Sequence, residues 1–397
     1  MLFQKRINSL ASYYIFPNYQ YITLASEFHN QSRYTKSMDM LYAPLSIGSA
    51  EIAQQLDPTI RQLENVADAG RRVAATGLRQ VFFVSAGAGL AIGKSLNAYT
   101  DEVAQNLRFI SYAASRFVEL MKANPSIADA PDTLIVLSSK SGKTPETVEA
   151  AKRLKNKPCK TVVFTKSQDT PLASYDHSAF FTGETTQAFQ ATYMLMASFT
   201  GGILEIKESW SFMPALTSSL KALPVALFHA ARKSVLAGEA FAEDFKSDTP
   251  LYFIASGSGL LVPHAYGLCV LQERFGFDVH VVNATDFFHS VVETVRPGTK
   301  ARFILTVPGD GSQGSMLDIK TFFEKAAKDY PVSFHVLDTK DFDTSGIDPE
   351  ILKIVGALIC EAYLKPWTPI LAKATKQTMN DPLLHMGRFK YYNCHLG

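Results

Sequence analysis

Cysteine is scarce. The 397 residues hold four, Cys159, Cys269, Cys360 and Cys394, far apart and with no C-x-x-C pair. That excludes zinc-ribbon spacing and a disulfide framework, and a reducing cytoplasm is the expected location. Charge of one sign is lacking too. The formal net charge is +2, and no stripe of Lys and Arg interleaved with aromatics runs along the chain, so nucleic acid is not an expected partner. No apolar run reaches the roughly 20 residues that a membrane helix needs; "YMLMASFTGGIL" is too short and is broken by glycine. Acid is nearly absent from the first 37 residues, where Glu27 stands alone among Tyr, Asn and Ser. Basic residues are few there as well, a poor match to an Arg-rich amphipathic targeting peptide. The stretch reads as a poorly ordered extension, or as the product of an upstream start codon with the natural start near Met38 or Met40.

What is present is a hydrophobic content of 47%, enough at this length for two similar domains or one duplicated unit. "VFFVSAGAGLA" begins at Val81 and "LYFIASGSGLL" at Leu251, 170 residues later. Each is an apolar run that ends in a small-residue G-x-G loop ahead of a helical pattern. A further strand follows in each half, "TLIVLSS" and "RFILTVPGD", then a helix and another strand, "KTVVFTK" and "VSFHVLD". Strands alternating with helices predict βαβ units, parallel sheets and two α/β sandwiches. Residues 38–77 read as an amphipathic lead-in helix, 205–247 as linking helices, and the end of the chain as an irregular tail after a long helix from about Pro349.

"SSKSGKTPETVEAAK" resembles a nucleotide P-loop by eye, but that loop requires G-x-x-x-x-G-K-[ST], and Leu137 stands where its first glycine belongs. What remains is a turn from a buried strand into a helix with Pro145 at its first position. There the hydroxyls of Ser139, Ser141 and Thr144, with free backbone N–H groups and Lys140, form a compact anion site. Thr144 acting as a plain N-cap would account for one of these hydroxyls. The other loop, "GAGLAIG" from Gly87, loosely matches a dinucleotide motif. The candidate next strand, "LRFISYAAS", ends without the ribose-binding acid, so the turn reads as a close-approach point for a helix or a sugar.

Glu273 and His289 lie 16 residues apart with the strand "DVHVV" between them, which lets a carboxylate and an imidazole reach one carboxyl-end crevice. A buried Glu with its pKa raised above about 4.3 can carry a proton between carbons, and a His near about 6.5 can serve a sugar-ring oxygen. The plainer alternatives are Glu273 paired with Arg274, and His289 as a helix-start residue beside Asp286. Asp286, His289 and Glu293 have a weak metal-ligand spacing, and no metal is expected. His264 and His280 read as structural.

Together these segments resemble the tandem enzymes of the sugar isomerase (SIS) domain family over roughly residues 45–390. "SSKSGKTPETVEAAK" looks like the family's phosphosugar loop. "LQERFGFDVHVVNATDFFHSVVETVRPGT" is similar to the catalytic segment of the fructosamine 6-phosphate deglycases and of the isomerase half of glucosamine-6-phosphate synthase. The resemblance implies two tandem flavodoxin-like three-layer α/β/α sandwiches with parallel sheets: an extension over 1–44, a first SIS domain over 45–205, a second over 206–375 and a tail over 376–397. It implies that Ser139, Lys140, Ser141 and Thr144 bind the substrate phosphate, with Gly87 and Thr186 lining the pocket. Glu273 would be the proton shuttle and His289 would assist ring opening, reaching in from the partner of a homodimer, with no cofactor. Three positions depart from the family pattern. Gly89 stands where the isomerases place serine, His289-Ser290-Val291 replaces the usual His-Gly-Pro, and Arg388 or Lys390 stands for the isomerases' tail lysine. The implied activity is that of a deglycase converting a fructosamine 6-phosphate to glucose 6-phosphate and free amine. A ketose–aldose isomerase or aminosugar-phosphate deaminase is the alternative, and a non-catalytic phosphosugar sensor the third reading.

Overall fold

The computed structural model describes residues 49–175, 177–243, 249–377, 383–385 and 389. The expected extension over 1–44 and most of the tail, including Arg388, Lys390 and Cys394, lie outside these. The lead-in helix expected over 38–77 is described as α1, Ser49–Ala74.

The first half runs β1 (Gln80–Ser85), α2 (Gly87–Val103), β2 (Arg108–Ala113), α3 (Ala114–Ala123), β3 (Thr133–Ser139), α4 (Pro145–Leu154), β4 (Lys160–Thr165) and β5 (Ser178–Phe181), then α5 (Ala188–Lys207). Its five parallel strands lie in the order β2-β1-β3-β4-β5. Alternation along each strand builds the layers. Phe82, Val84, Ile135, Leu137 and Val163 face α3 and α4, whereas Val81, Phe83, Leu134, Val136 and Phe164 face α1 and α5. With both faces covered, every residue of β3 is buried, as a central parallel strand requires. The short edge strand β5 has too few residues, "SAFF", to show a period in the sequence.

Helices α6 (Met213–Lys233) and α7 (Val235–Glu243) lead into the second half. There β6 (Leu251–Ala255), β7 (Val279–Asn283), β8 (Arg302–Val307) and β9 (Ser333–Asp338) form a parallel sheet in the order β7-β6-β8-β9. The order of the first four strands is thus repeated. Helix α8 (Gln313–Asp329) covers one face and α9 (Pro349–Leu364) the other, followed by α10 (Trp367–Ala374). The predicted pair of α/β sandwiches with parallel sheets is what the chain forms.

The helix expected to carry Glu273 is a π-helix, Pro263–Gln272, closing in one α-turn at Glu273–Phe275 and a left-handed Gly276. Helix α1 meets α5 backbone to backbone. A Cβ on Gly70 would stand 2.2 Å from the Phe199 carbonyl oxygen, and one on Gly202 would stand 2.1 Å from that of Ala67.

On β9 the His335 ring stacks 5.5 Å from Tyr363 and lies 5.6 Å from Trp367. Burial pushes its pKa down to about 4, below the value near 6.5 of an unfolded chain. Its contribution to stability is therefore complete above about pH 6.5 and is lost as pH falls from there toward 4, with a limiting slope of about 1.4 kcal/mol per pH unit. Urea unfolding at pH 7.5 and 5.0 should show the loss, and His335→Phe should flatten it.

Candidate active site

The turn after β3 is held from behind. Gly142 has φ +60, and a Cβ there would stand 2.3 Å from Thr170 Cβ. The Gly142 carbonyl accepts from Leu172 N at 3.0 Å, and the Thr170 and Thr165 hydroxyls meet at 3.3 Å. On the other side Ser139 Oγ lies 2.9 Å from Thr144 Oγ1 and accepts from Gly142 N at 3.1 Å. Thr144 occupies the N-cap position of α4 but makes no side-chain cap bond. Its hydroxyl is turned to Ser139 instead, so capping does not account for it. Ser141 Oγ accepts from Lys143 N at 3.2 Å, and Ser141 and Lys140 are exposed at the mouth. Two paired hydroxyls, a third at the rim and the start of a ten-residue helix make a turn suited to an oxyanion.

The glycine loop after β1 lies beside it. A Cβ on Gly89 would fall 2.2 Å from Ser85 Oγ and 2.8 Å from Ser138 Oγ. The absence of serine at 89 therefore has a steric reason: Ser85, donating to the Ser138 carbonyl at 2.5 Å, already fills that space. Gly87 opens α2 with φ +53. Thr186 is exposed after β5, its N–H bonded to Gln55 Oε1 at 2.9 Å.

Glu273 approaches from the second half. The π-helix packs against α2, and Cys269, one turn before Glu273, lies close enough to the Ala88 backbone N–H for it to hold the thiol pKa down. Burial pushes the Cys269 thiol up to about 11, and the Glu273 charge adds to the rise. The carboxylate thus stands near the Gly87–Gly89 loop, which itself touches Ser138 beside the Ser139 turn. Burial raises the Glu273 pKa and the charge of Arg274 opposes the rise, the direction a proton-carrying carboxyl needs at neutral pH. A π-segment frequently marks a functional site. Its sequence signal is weak, because ten mostly apolar residues fit several periods.

His289 is not joined to this group within the chain. It is exposed beside Phe288, which is 48% exposed, and its N–H bonds to the Asp286 carbonyl at 3.2 Å. Among the described residues no three His, Cys, Asp or Glu side chains converge as a metal-ligand group.

The turn after β8 stands where the β3 turn stands in the first sheet, and it provides its own anion. Asp310, 2% exposed, accepts from Ser258 N (2.8 Å), Ser258 Oγ (2.6 Å), Ser312 N (3.0 Å) and Ser312 Oγ (2.5 Å). Glu102 of α2 reaches across to accept from Gly311 N at 2.9 Å. Sequence reading passed over Asp310, although an aspartate between serines and glycines at the duplicated loop was its visible signal.

The SIS domain model matches residues 77–200. The agropine synthesis conjugase of Rhizobium rhizogenes is 60% identical over 358 residues, 90% of this chain and 99% of that protein. The fructosamine deglycase FrlB of Bacillus subtilis (strain 168) is 25% identical over 307 residues, 77% of this chain and 89% of that one. A solved Bacillus subtilis structure, named provisionally as a phosphosugar isomerase, superposes with a TM-score of 0.71 at 22% identity over 85% of this chain and 98% of its own.

Proposed function

From a chain that belongs to the SIS domain family, an enzyme of the phosphosugar isomerase and deglycase type, we infer a deglycase that breaks down a 6-phosphorylated fructosamine, the Amadori adduct of an amino acid. The observation that carries this reading is the packing of the π-helix that ends at Glu273, from one half, against α2 and its glycine loop in the other, with the Ser85–Ser138 bond linking that loop to the strand of the hydroxyl turn.

Ser139, Lys140, Ser141 and Thr144 would hold the 6-phosphate, with Gly87 and Thr186 lining the approach. With the sugar chain open, Glu273 takes the proton from C1 while O2 gains one from solvent to give the enaminol; the proton is then returned at C2 as the amine N–H is released to solvent, leaving an imine at C1. Water adds there, the C1–N bond breaks, and glucose 6-phosphate and the free amine leave. A single carboxyl suffices for the transfer between carbons because they are adjacent and the proton passes between them on one face, while the proton at O2 and the one from nitrogen exchange with solvent. His289, exposed in its own chain, would assist ring opening in the site of a partner in a homodimer. Residues 45–205 and 206–375 are taken as the two catalytic units, one carrying the phosphate and the other the proton.

The same steps run backward join an amine to an aldose, since each is reversible. That direction is the second reading, favoured by the relative at 60% identity named as a conjugase.

The test is to incubate the protein with fructose–amino acid 6-phosphates and, separately, with glucose 6-phosphate plus each amino acid, and to follow both by mass spectrometry. Release of glucose 6-phosphate supports the first reading and adduct formation the second. Turnover of a plain hexose or hexosamine 6-phosphate without any adduct would replace both with an isomerase or deaminase. Binding without conversion of any compound would leave a sensor.

A further inference from the structure

Lys365 is a cation that the reaction above does not use. It follows α9, which is buried without a break from Ile354 to Leu364, and its Nζ donates to Gln187 Oε1, a neutral acceptor, at 2.8 Å. The acid one turn earlier, Glu361, is 6% exposed but accepts from Gln190 Nε2 at 2.8 Å. Among the described residues neither Glu361 nor any other carboxylate forms an ion pair with Lys365. Withdrawing an ammonium from water is unfavourable unless it is paired; here Lys365 is part-buried, and the Glu361 charge offsets that cost without bonding to it.

Its position supplies a reason. Ser139 pairs with Thr165 on β4, and Thr165 with Phe181 on β5, at about 4.8 Å per strand. From β5 the chain turns back, Thr182 N bonding to the Thr165 carbonyl at 3.0 Å, and enters α5 through Gln187. Gln187 thus lies at the same carboxyl edge as the hydroxyl turn. Burial lowers the Lys365 pKa, Glu361 opposes this, and the charge of Lys140 lowers it further, so the two ammoniums feel one another.

We propose that Lys365 completes the anion clamp of the β3 turn and makes it selective for a phosphate monoester dianion over a monoanion. The inference rests on the phosphosugar reading of that turn. Hydroxyls and amides give the clamp its shape but carry no net charge, and Lys140 and Lys143 are exposed, where water screens them. Lys365 is the more sheltered cation, part-buried behind Gln187, and its charge acts through a lower effective dielectric than theirs.

The experiment measures binding of glucose 6-phosphate and glucose 6-sulfate to the full chain by titration calorimetry at pH 7.5. Coulomb energy scales with ligand charge, so Lys365→Met should lose about 100-fold for the phosphate and about 10-fold for the sulfate, while Lys365→Arg keeps the phosphate preference. Equal losses for both ligands, or none, would overturn the proposal. An arm without variants guards against misfolding: glucose 6-phosphate should shield Lys365 of the natural chain from acetylation, and unchanged labelling counts against the clamp. If the natural chain binds no 6-phosphosugar, the phosphosugar reading itself falls; if it binds and Lys365→Met binds as well, this inference alone falls.

Discussion

Glu273→Gln is expected to lower kcat by about 10³, near the middle of the range for removing a general acid–base, while glucose 6-phosphate binds as before. Glutamine keeps the shape of the side chain and removes the proton that moves between C1 and C2. Turnover within threefold of the natural chain would remove Glu273 from the reaction. The acid limb of kcat/KM should lie above the ordinary carboxylate range near 4.3, because burial raises this group's pKa. The same shift fixes a sign for folding. The folded chain holds this proton more tightly than the unfolded one, so the contribution to stability is present below the unfolded pKa and is lost as pH rises through the folded value. At pH 8 the Gln variant should therefore unfold at equal or higher urea than the natural chain, losing activity without losing stability.

Gly142→Ala should be the most damaging small substitution in the hydroxyl turn, lowering stability by about 3–5 kcal/mol through left-handed strain and overpacking together. The added methyl would fall 2.3 Å from Thr170 Cβ and 2.7 Å from Thr165 Oγ1. The bond from Leu172 N to the Gly142 carbonyl and the bond from Gly142 N to Ser139 Oγ fix the turn from both sides, so relief in either direction breaks one. Urea denaturation measures the stability loss, and glucose 6-phosphate titration should show at least a tenfold weaker complex. A variant with the natural midpoint would mean that Thr170 can yield.

The parallel sheets were legible because their signal is local: apolar runs such as "TLIVLSS" ending in small residues, repeated at a fixed offset. The hydroxyl turn was legible for the same reason, since a strand, three hydroxyls and a proline follow one another in the chain. The π-helix was hidden, because a change from 3.6 to more residues per turn hardly alters the pattern of ten mostly apolar residues. Lys365 was hidden differently. A carboxylate and an ammonium four apart read as an exposed helix pair, and only the bonds from Gln190 and Gln187 at the start of α5 show that the first is buried and the second part-buried. The displacement of serine from position 89 by Ser85 likewise depends on β1 and β3 lying side by side, which no spacing along the chain reveals.

Asp310 bears on ligand counting. A tandem duplication would ordinarily double the capacity of a chain, yet here a built-in carboxylate occupies the copied seat and spends its four donors. Each polypeptide should therefore saturate at one equivalent of sugar phosphate along a simple hyperbola. Any sigmoidal response would have to originate between polypeptides rather than within one.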